Sequence, residues 1–293
     1  MPELPEVETI RIDLEKFLPG KEISSLEILS PKTVKNNTAF FKKKLLGHKF
    51  SKISRRGKLL FFQMTSSNDF LLIHLKMTGQ LIYLNKKNRI SGGHSLSEES
   101  FETAVGGALP NKYTRLYFVF KDGGQLFFND LRKFGYLRIV NQEELEKIIT
   151  ENYGPEPLER KLNASYLAHI FAKRLRPIKS LLLDQKLIAG LGNIYVDESL
   201  FLAGIRPNRL GKSISKKEIE KLVLSIKRVI RLALKNRGTT FNNYLDSQGK
   251  KGNFSRLLNV YGRGGEKCYH CGQKIEKMKL GGRGTHYCLN CQK

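Results

Sequence analysis

Apolar and polar positions follow two rhythms along this chain. The segments LLFFQM (59–64), FLLIHLKM (70–77), QLIYL (80–84), RLYFVF (115–120), QLFFND (125–130) and YLRIV (136–140) are short and rich in aromatic and branched residues, with turn signals such as KDGG (121–124) between them. They predict the strands of a β-sandwich or barrel of roughly 140 residues. Ahead of them, Val7, Ile10, Leu14, Phe17 and Leu18 share one side of a predicted helix over residues 3–18. Beyond NYGPEPLE (152–159) the rhythm turns helical. Ser215-Lys216-Lys217-Glu218 has capping-box form, and Ile219, Leu222, Val223, Ile226, Val229, Ile230, Ala233 and Leu234 follow at helical spacing, with Gly238 as the stop. Two shorter helices are expected to flank Gly190–Gly192. Between Lys86 and Asn111 the pattern lapses into a polar, Gly/Ser-rich stretch, which predicts a long disordered loop.

Charge changes the picture more than composition does. With 52 basic against 27 acidic residues in 293, the formal charge is +25, and a chain this basic usually meets a polyanion, nucleic acid first among them. A membrane surface is the rival partner, but the basic residues are spread over the whole chain rather than gathered on one amphipathic helix. No apolar run approaches the roughly 20 residues of a membrane span. The acidic amino terminus lacks the apolar stretch of a signal peptide. The expectation is a cytoplasmic monomer located with the DNA.

All four cysteines lie near the carboxyl end, as Cys268-x2-Cys271-x16-Cys288-x2-Cys291. Two CxxC pairs at this spacing suit one tetrahedral zinc in a ribbon, against the alternative of two disulfides. Four protein ligands leave no open position for water, so such a zinc is structural. Between the pairs, Arg283 sits in Gly281-Gly282-Arg283-Gly284, a hairpin tip whose guanidinium is either solvated or bound to phosphate.

The first residues, MPELPEVE, admit two readings. Proline in the first turn and Glu3, Glu6 and Glu8 near the positive end of a helix dipole make an ordinary helix start. Removal of Met1 would instead leave Pro2 as a free secondary amine with a pKa of roughly 8, partly unprotonated at neutral pH. Such an amine can attack a sugar carbon covalently, with Glu3 beside it to move protons. The GLGN turn (190–193) before an apolar helix would offer backbone N–H groups and the Asn193 amide to a phosphate. Lys173, Arg174 and Lys179 form a basic cluster suited to phosphate steering.

PELPEVE (2–8), RRGK (55–58), HLKMTG (74–79), NDLRKFG (129–135), GLGNIYVDE (190–198) and GGRGTHYC (281–288) together resemble the formamidopyrimidine-DNA glycosylase family of base-excision repair enzymes, in the family's order and over nearly the entire chain. The resemblance implies an α+β multidomain protein: an N-terminal catalytic β-sandwich with flanking helices (1–140), a linker (141–160), a helix–two-turn–helix DNA-binding domain (161–240), and a lid segment with a zinc ribbon (241–293). It implies that Pro2, Glu3, Glu6, Lys58 and Arg283 are catalytic: Pro2 is the nucleophile, Glu3 the proton donor with Glu6 close by, and Lys58 and Arg283 assist strand cleavage. Oxidised purines such as 8-oxoguanine and formamidopyrimidines in damaged double-stranded DNA are the implied substrates. Met77, Arg132 and Phe134 would enter the duplex where a base has been extruded, although a Met and a Phe among strands more often belong to the core. Arg174, Lys179 and Asn193 fall where DNA contacts occur, and Thr239–Phe254 matches a mobile lid. Two departures stand out: Tyr113 replaces a histidine in Lys112-Tyr113-Thr114-Arg115, keeping a donor but no charge, and Asn242 replaces a basic residue. The related endonuclease VIII branch, which prefers oxidised pyrimidines, usually reads PEGPE, so Leu4 favours the purine branch. A non-catalytic damage-binding zinc protein is the other alternative.

Overall fold

A computed structural model describes residues 2–65, 67–97, 100–239 and 254–293. Among them the chain forms two compact units, residues 2–149 with 236–239, and residues 150–235 with 254–293. The lid segment, including Asn242, falls outside the described residues except for Thr239 and Phe254.

The first unit opens with helix α1 (Leu4–Glu15), preceded by Glu3 as its N-cap. Strand β1 (Ile23–Ile28) and helix α2 (Thr38–Leu45) follow, then β2 (Phe50–Arg56), β3 (Leu59–Met64), β4 (Asp69–His74), β5 (Gly79–Leu84), β6 (Arg89–Gly93), α3 (Phe101–Val105), β7 (Thr114–Phe120), β8 (Gln125–Asp130), β9 (Tyr136–Asn141) and α4 (Gln142–Asn152). The strands make an antiparallel four-stranded sheet in the order β2-β3-β4-β9 and a five-stranded sheet in the order β1-β7-β8-β5-β6. Inward residues of both sheets, among them Ile53, Leu60, Phe62, Leu71 and Ile73 from one and Leu26, Leu81, Phe118 and Phe128 from the other, share a single core with Val7, Ile10 and Leu14 of α1. This is the predicted sandwich, and the apolar side of the first helix closes it.

The described residues between Lys86 and Asn111 do not form the disordered loop that their composition predicts. Ile90 lies in β6, which pairs with β5, and Ser100 and Thr103 cap α3 reciprocally through backbone and side chain. Val105 joins Ile82 and Phe127 in a small cluster, with Phe101 and Leu109 packed against it. The glycines and serines concealed enough apolar residues to cover the outward face of the second sheet. The stretch expected to be a linker likewise begins in a helix, α4.

The second unit holds α5 (Ala164–Phe171), α6 (Ile178–Leu182), α7 (Asn193–Ala203), α8 (Lys216–Lys235) and the hairpin of β10 (Ile275–Leu280) and β11 (Arg283–Cys288). Helix α8 begins at the predicted capping box: the Ser215 N–H donates to Glu218 Oε2 at 2.8 Å, and Arg209 pairs with the same carboxylate. These contacts, led by the Arg209 hydrogen bond, bring the Glu218 pKa down to about 2. Ile219, Leu222, Val223, Ile226, Val229, Ile230 and Ala233 are buried as their spacing predicts. Each large aliphatic side chain so buried contributes about 1.5–3 kcal/mol. Among the described residues, no helix is long and apolar enough to cross a membrane.

Candidate active site and nucleic-acid contacts

Pro2 is buried at the entrance to α1. Glu3 and Glu6 close the helix start as a capping box, in which the Glu3 N–H donates to Glu6 Oε2 at 2.9 Å. The other oxygen of Glu6 accepts from the N–H and the hydroxyl of Thr239, at 2.9 and 3.1 Å. Gly238, at φ +80, lies so close that a Cβ there would stand 2.5 Å from Glu6 Oε1. Glu6 is fully buried with both oxygens engaged, one by the Glu3 N–H and the other by Thr239, so it holds the helix entrance in place.

Lys58 is buried in the two-residue turn from β2 to β3. Its approach is fixed from α1. Glu8 receives Arg55 Nε at 2.7 Å and Arg11 at 2.7 Å, and Arg55 also donates to the carbonyl of Gly57 at 3.2 Å. Burial pushes the Glu8 carboxyl up, but the hydrogen bonds and charges of Arg11 and Arg55 outweigh it and keep the pKa below the usual value.

His74, which the sequence reading passed over, stands at the end of β4 opposite Leu59, the residue after Lys58. Its Nδ1 accepts the Lys76 N–H at 3.0 Å, and its ring meets Tyr136 with centroids 5.7 Å apart. Burial, followed by the charges of Lys76 and Lys58, lowers its pKa to about 3. The imidazole is therefore neutral at physiological pH, with its proton on Nε2. The only signal in the sequence was a histidine opening HLKMTG, and its proximity to Lys58 depends on strand register.

Met77 and Phe134 are 36 % and 53 % exposed and so are not core residues. Arg132 is exposed as well, with its guanidinium 4.7 Å from the centre of the Phe134 ring. Tyr113 is half-buried just before β7, and Lys112 lies over its ring at 5.2 Å.

In the second unit, Arg174 is exposed, its Nε donating to the Ile170 carbonyl at 3.2 Å. Lys179 departs from expectation. It is 0 % exposed, with its ammonium 2.6 Å from Asp197 Oδ1, 2.9 Å from Thr285 Oγ1 and 3.2 Å from the Gly284 carbonyl. A sealed ammonium satisfied by three protein acceptors is an internal tie to β11 and not a surface phosphate contact. Asn193, the first residue of α7, also donates to the Gly284 carbonyl, at 2.9 Å. The neighbouring acids on α7 divide their work. Asp197 Oδ2 accepts the His286 N–H at 3.0 Å, while Glu198 accepts the N–H groups of Asn259, Val260 and Tyr261, each at 2.9 Å.

Arg283 is exposed at the start of β11, after a turn whose two glycines take φ +56 and +77. Positive φ at both central positions is what a tight hairpin turn requires. The sulfurs of Cys268, Cys271, Cys288 and Cys291 lie within 4.8 Å of one another, with Cys271 and Cys288 at 3.4 Å and Cys268 and Cys291 at 3.9 Å. Zinc–thiolate bonds of about 2.3 Å would place tetrahedral sulfurs about 3.8 Å apart, so the cluster could hold one zinc ion. No two of these sulfurs are near the roughly 2.05 Å of a disulfide.

Three family models match the chain in order: the formamidopyrimidine-DNA glycosylase N-terminal domain over residues 1–137, the H2TH domain of the same glycosylase over 153–244, and the zinc finger found in FPG and IleRS over 265–293. The formamidopyrimidine-DNA glycosylase of Bacillus cereus is 39% identical over 295 aligned residues, covering 100% of this chain and 99% of that one. That of Desulfitobacterium hafniense is 40% identical over 294, covering both completely. Among solved structures, a variant of the Lactococcus lactis Fpg in complex with Fapy-dG-containing DNA superimposes with a TM-score of 0.87 at 35% identity over 100% of both chains. The same enzyme with DNA containing an abasic site gives 0.86 at 36% identity over 99% of each chain. By this full-length match the chain belongs to the formamidopyrimidine-DNA glycosylase family.

Proposed function

We propose that the protein is a DNA glycosylase and abasic-site lyase of base-excision repair that removes oxidised purines from double-stranded DNA. The observation that carries this reading is the amino-terminal constellation: a buried Pro2 ahead of a helix capped by Glu3 and Glu6, in a chain that matches the family from end to end. With Met1 removed, the Pro2 nitrogen attacks C1′ of the damaged nucleotide as the bond from C1′ to the base breaks, the base leaving with the bonding electrons and taking up the proton that the Pro2 nitrogen sheds. Glu3 protonates the sugar ring oxygen, and the opened sugar is held as an iminium on Pro2. Loss of a 2′ proton then expels the 3′ phosphate, loss of the 4′ proton expels the 5′ phosphate, and water hydrolyses the iminium to free the sugar remnant from Pro2, leaving a one-nucleotide gap. Lys58 and Arg283 stabilise phosphate charge in these steps, and His74 adds a neutral N–H donor near Lys58. Arg174 and Asn193 meet the backbone, and Met77, Arg132 and Phe134 occupy the space that an extruded base leaves. The zinc stays structural, its four positions filled by cysteine. One chain carries every group named, so we read the protein as a monomer acting on DNA in the cytoplasm with the nucleoid.

Duplexes carrying one defined lesion each test the reading. Excision of 8-oxoguanine and formamidopyrimidine well ahead of oxidised pyrimidines is expected. Preference for the pyrimidines would instead favour endonuclease VIII-like activity, and damage binding without strand cleavage a non-catalytic protein.

A further inference from the structure

Thr78 and Asp130 face each other at the ends of two paired strands, where Gly79 of β5 lies opposite Asp130 of β8. Both side chains are buried, and they connect the two loops that carry the exposed wedge residues. The Thr78 hydroxyl donates to Asp130 Oδ1 at 2.5 Å and accepts the Arg132 N–H at 3.0 Å. Asp130 Oδ1 also receives the Arg132 N–H at 3.2 Å, and its Oδ2 receives the Gly135 N–H at 2.7 Å. One carboxylate thus closes the turn bearing Arg132 and Phe134 and ties it to the residue that follows Met77.

The backbone in both loops needs such a restraint. Lys76, just before Met77, has φ +50, and Lys133, between Arg132 and Phe134, has φ +59. The left-handed region disfavours lysine, so each loop holds that shape only where its surroundings impose it. There is no slack: a Cβ on Gly79 would stand 2.4 Å from the Leu75 carbonyl oxygen, and one on Gly135 2.6 Å from Phe128.

From this geometry we infer that Thr78 and Asp130 form a clamp that holds Met77, Arg132 and Phe134 in one fixed arrangement, so that the three enter a duplex as a unit. They are positioning residues, acting through the loops and not on the reacting atoms. The inference rests on the proposed role of those three side chains in occupying the space of an extruded base. That role is needed for a base stacked in duplex DNA but not for an abasic site in a single strand.

The test compares Thr78→Val, Thr78→Ser, Asp130→Asn and Phe134→Ala by single-turnover excision of 8-oxoguanine from duplex DNA and by cleavage of a single-stranded abasic oligonucleotide, with thermal denaturation alongside. Loss of a buried hydrogen bond to a charged group predicts a drop of about tenfold or more in duplex excision for Thr78→Val and Asp130→Asn. Single-strand cleavage should stay within about twofold, and Thr78→Ser, which keeps the hydroxyl, should restore duplex excision. If Phe134→Ala abolishes duplex excision while Thr78→Val leaves it intact, the wedge stands and the clamp is wrong. If Phe134→Ala itself leaves duplex excision intact, the wedge reading fails. An equal loss on both substrates, or Thr78→Ser failing with Thr78→Val, overturns the clamp in favour of a general structural role.

Discussion

Lys179 and Asp197 form an ion pair of 2.6 Å whose side chains are only 1% and 0% open to solvent. The pair joins α6 to α7, and through Thr285, Gly284 and the His286 N–H it also fixes the start of β11, where Arg283 begins the strand. A cation of this helical region is thus committed to holding a hairpin. Removing one partner of a buried pair leaves an uncompensated charge, which costs about 3–5 kcal/mol.

Lys179→Met should therefore lower the thermal stability of the protein. In whatever fraction remains folded, the salt dependence of DNA binding should keep its slope, because each phosphate contact contributes about 0.9 to that slope and Lys179 makes none. An unchanged melting temperature with a shallower salt slope would mean that the ammonium reaches DNA after all.

His74 should remain neutral throughout the physiological range. Its folded pKa of about 3 lies below the ordinary value of 6.5, so the unfolded chain takes up the proton first as the medium acidifies. This residue therefore costs nothing above about pH 6.5, and its contribution to stability falls progressively as pH drops from there toward 3. Ring-proton resonances followed by NMR should show no titration of His74 between pH 5 and 8. A midpoint near 6.5 would contradict the burial and the influence of Lys58 and Lys76.

The four cysteines predict one zinc per chain. Structural zinc supplies folding free energy to a segment too small to form its own core. Cys288→Ser should lose the metal and most DNA binding, while the sandwich core, which shares no residue with the cysteine cluster, keeps its unfolding transition. Full DNA affinity after the zinc has been removed would show that the ribbon does not organise the Arg283 hairpin.

Phe134→Ala should cost little stability, since more than half of the side chain is already exposed. A buried phenylalanine would cost about 3–5 kcal/mol on the same truncation. Calorimetry distinguishes the two, and a drop of that size would return Phe134 to the core.

Much of this was legible from the pattern of residues, and the remainder depends on contacts between distant positions. Strands β3, β4, β5, β7, β8 and β9 follow short aromatic and branched runs, and α8 starts at a capping box visible as Ser215 and Glu218. The cysteine spacing anticipated the convergence of four sulfurs. The segment around β6 and α3 was misread because its glycines and serines outnumber Ile90, Phe101, Val105 and Leu109, the residues that anchor it. Lys179 read as a phosphate contact because nothing local indicates that Asp197 and Thr285 face it. The same limit hid His74, whose place beside Lys58 follows from the pairing of β3 with β4, and the link from Thr78 to Asp130 across 52 positions.

The central claim is that the Pro2 nitrogen bonds to the sugar, and borohydride trapping followed by peptide mapping tests it most directly. Reduction during turnover on an 8-oxoguanine duplex converts the iminium to a stable amine. Proteolysis of the adduct should then locate the DNA on the peptide that begins at Pro2, and Pro2→Gly should sharply reduce both trapping and cleavage. DNA carried on the peptide containing Lys58, or wild-type trapping and cleavage by Pro2→Gly, would contradict the account.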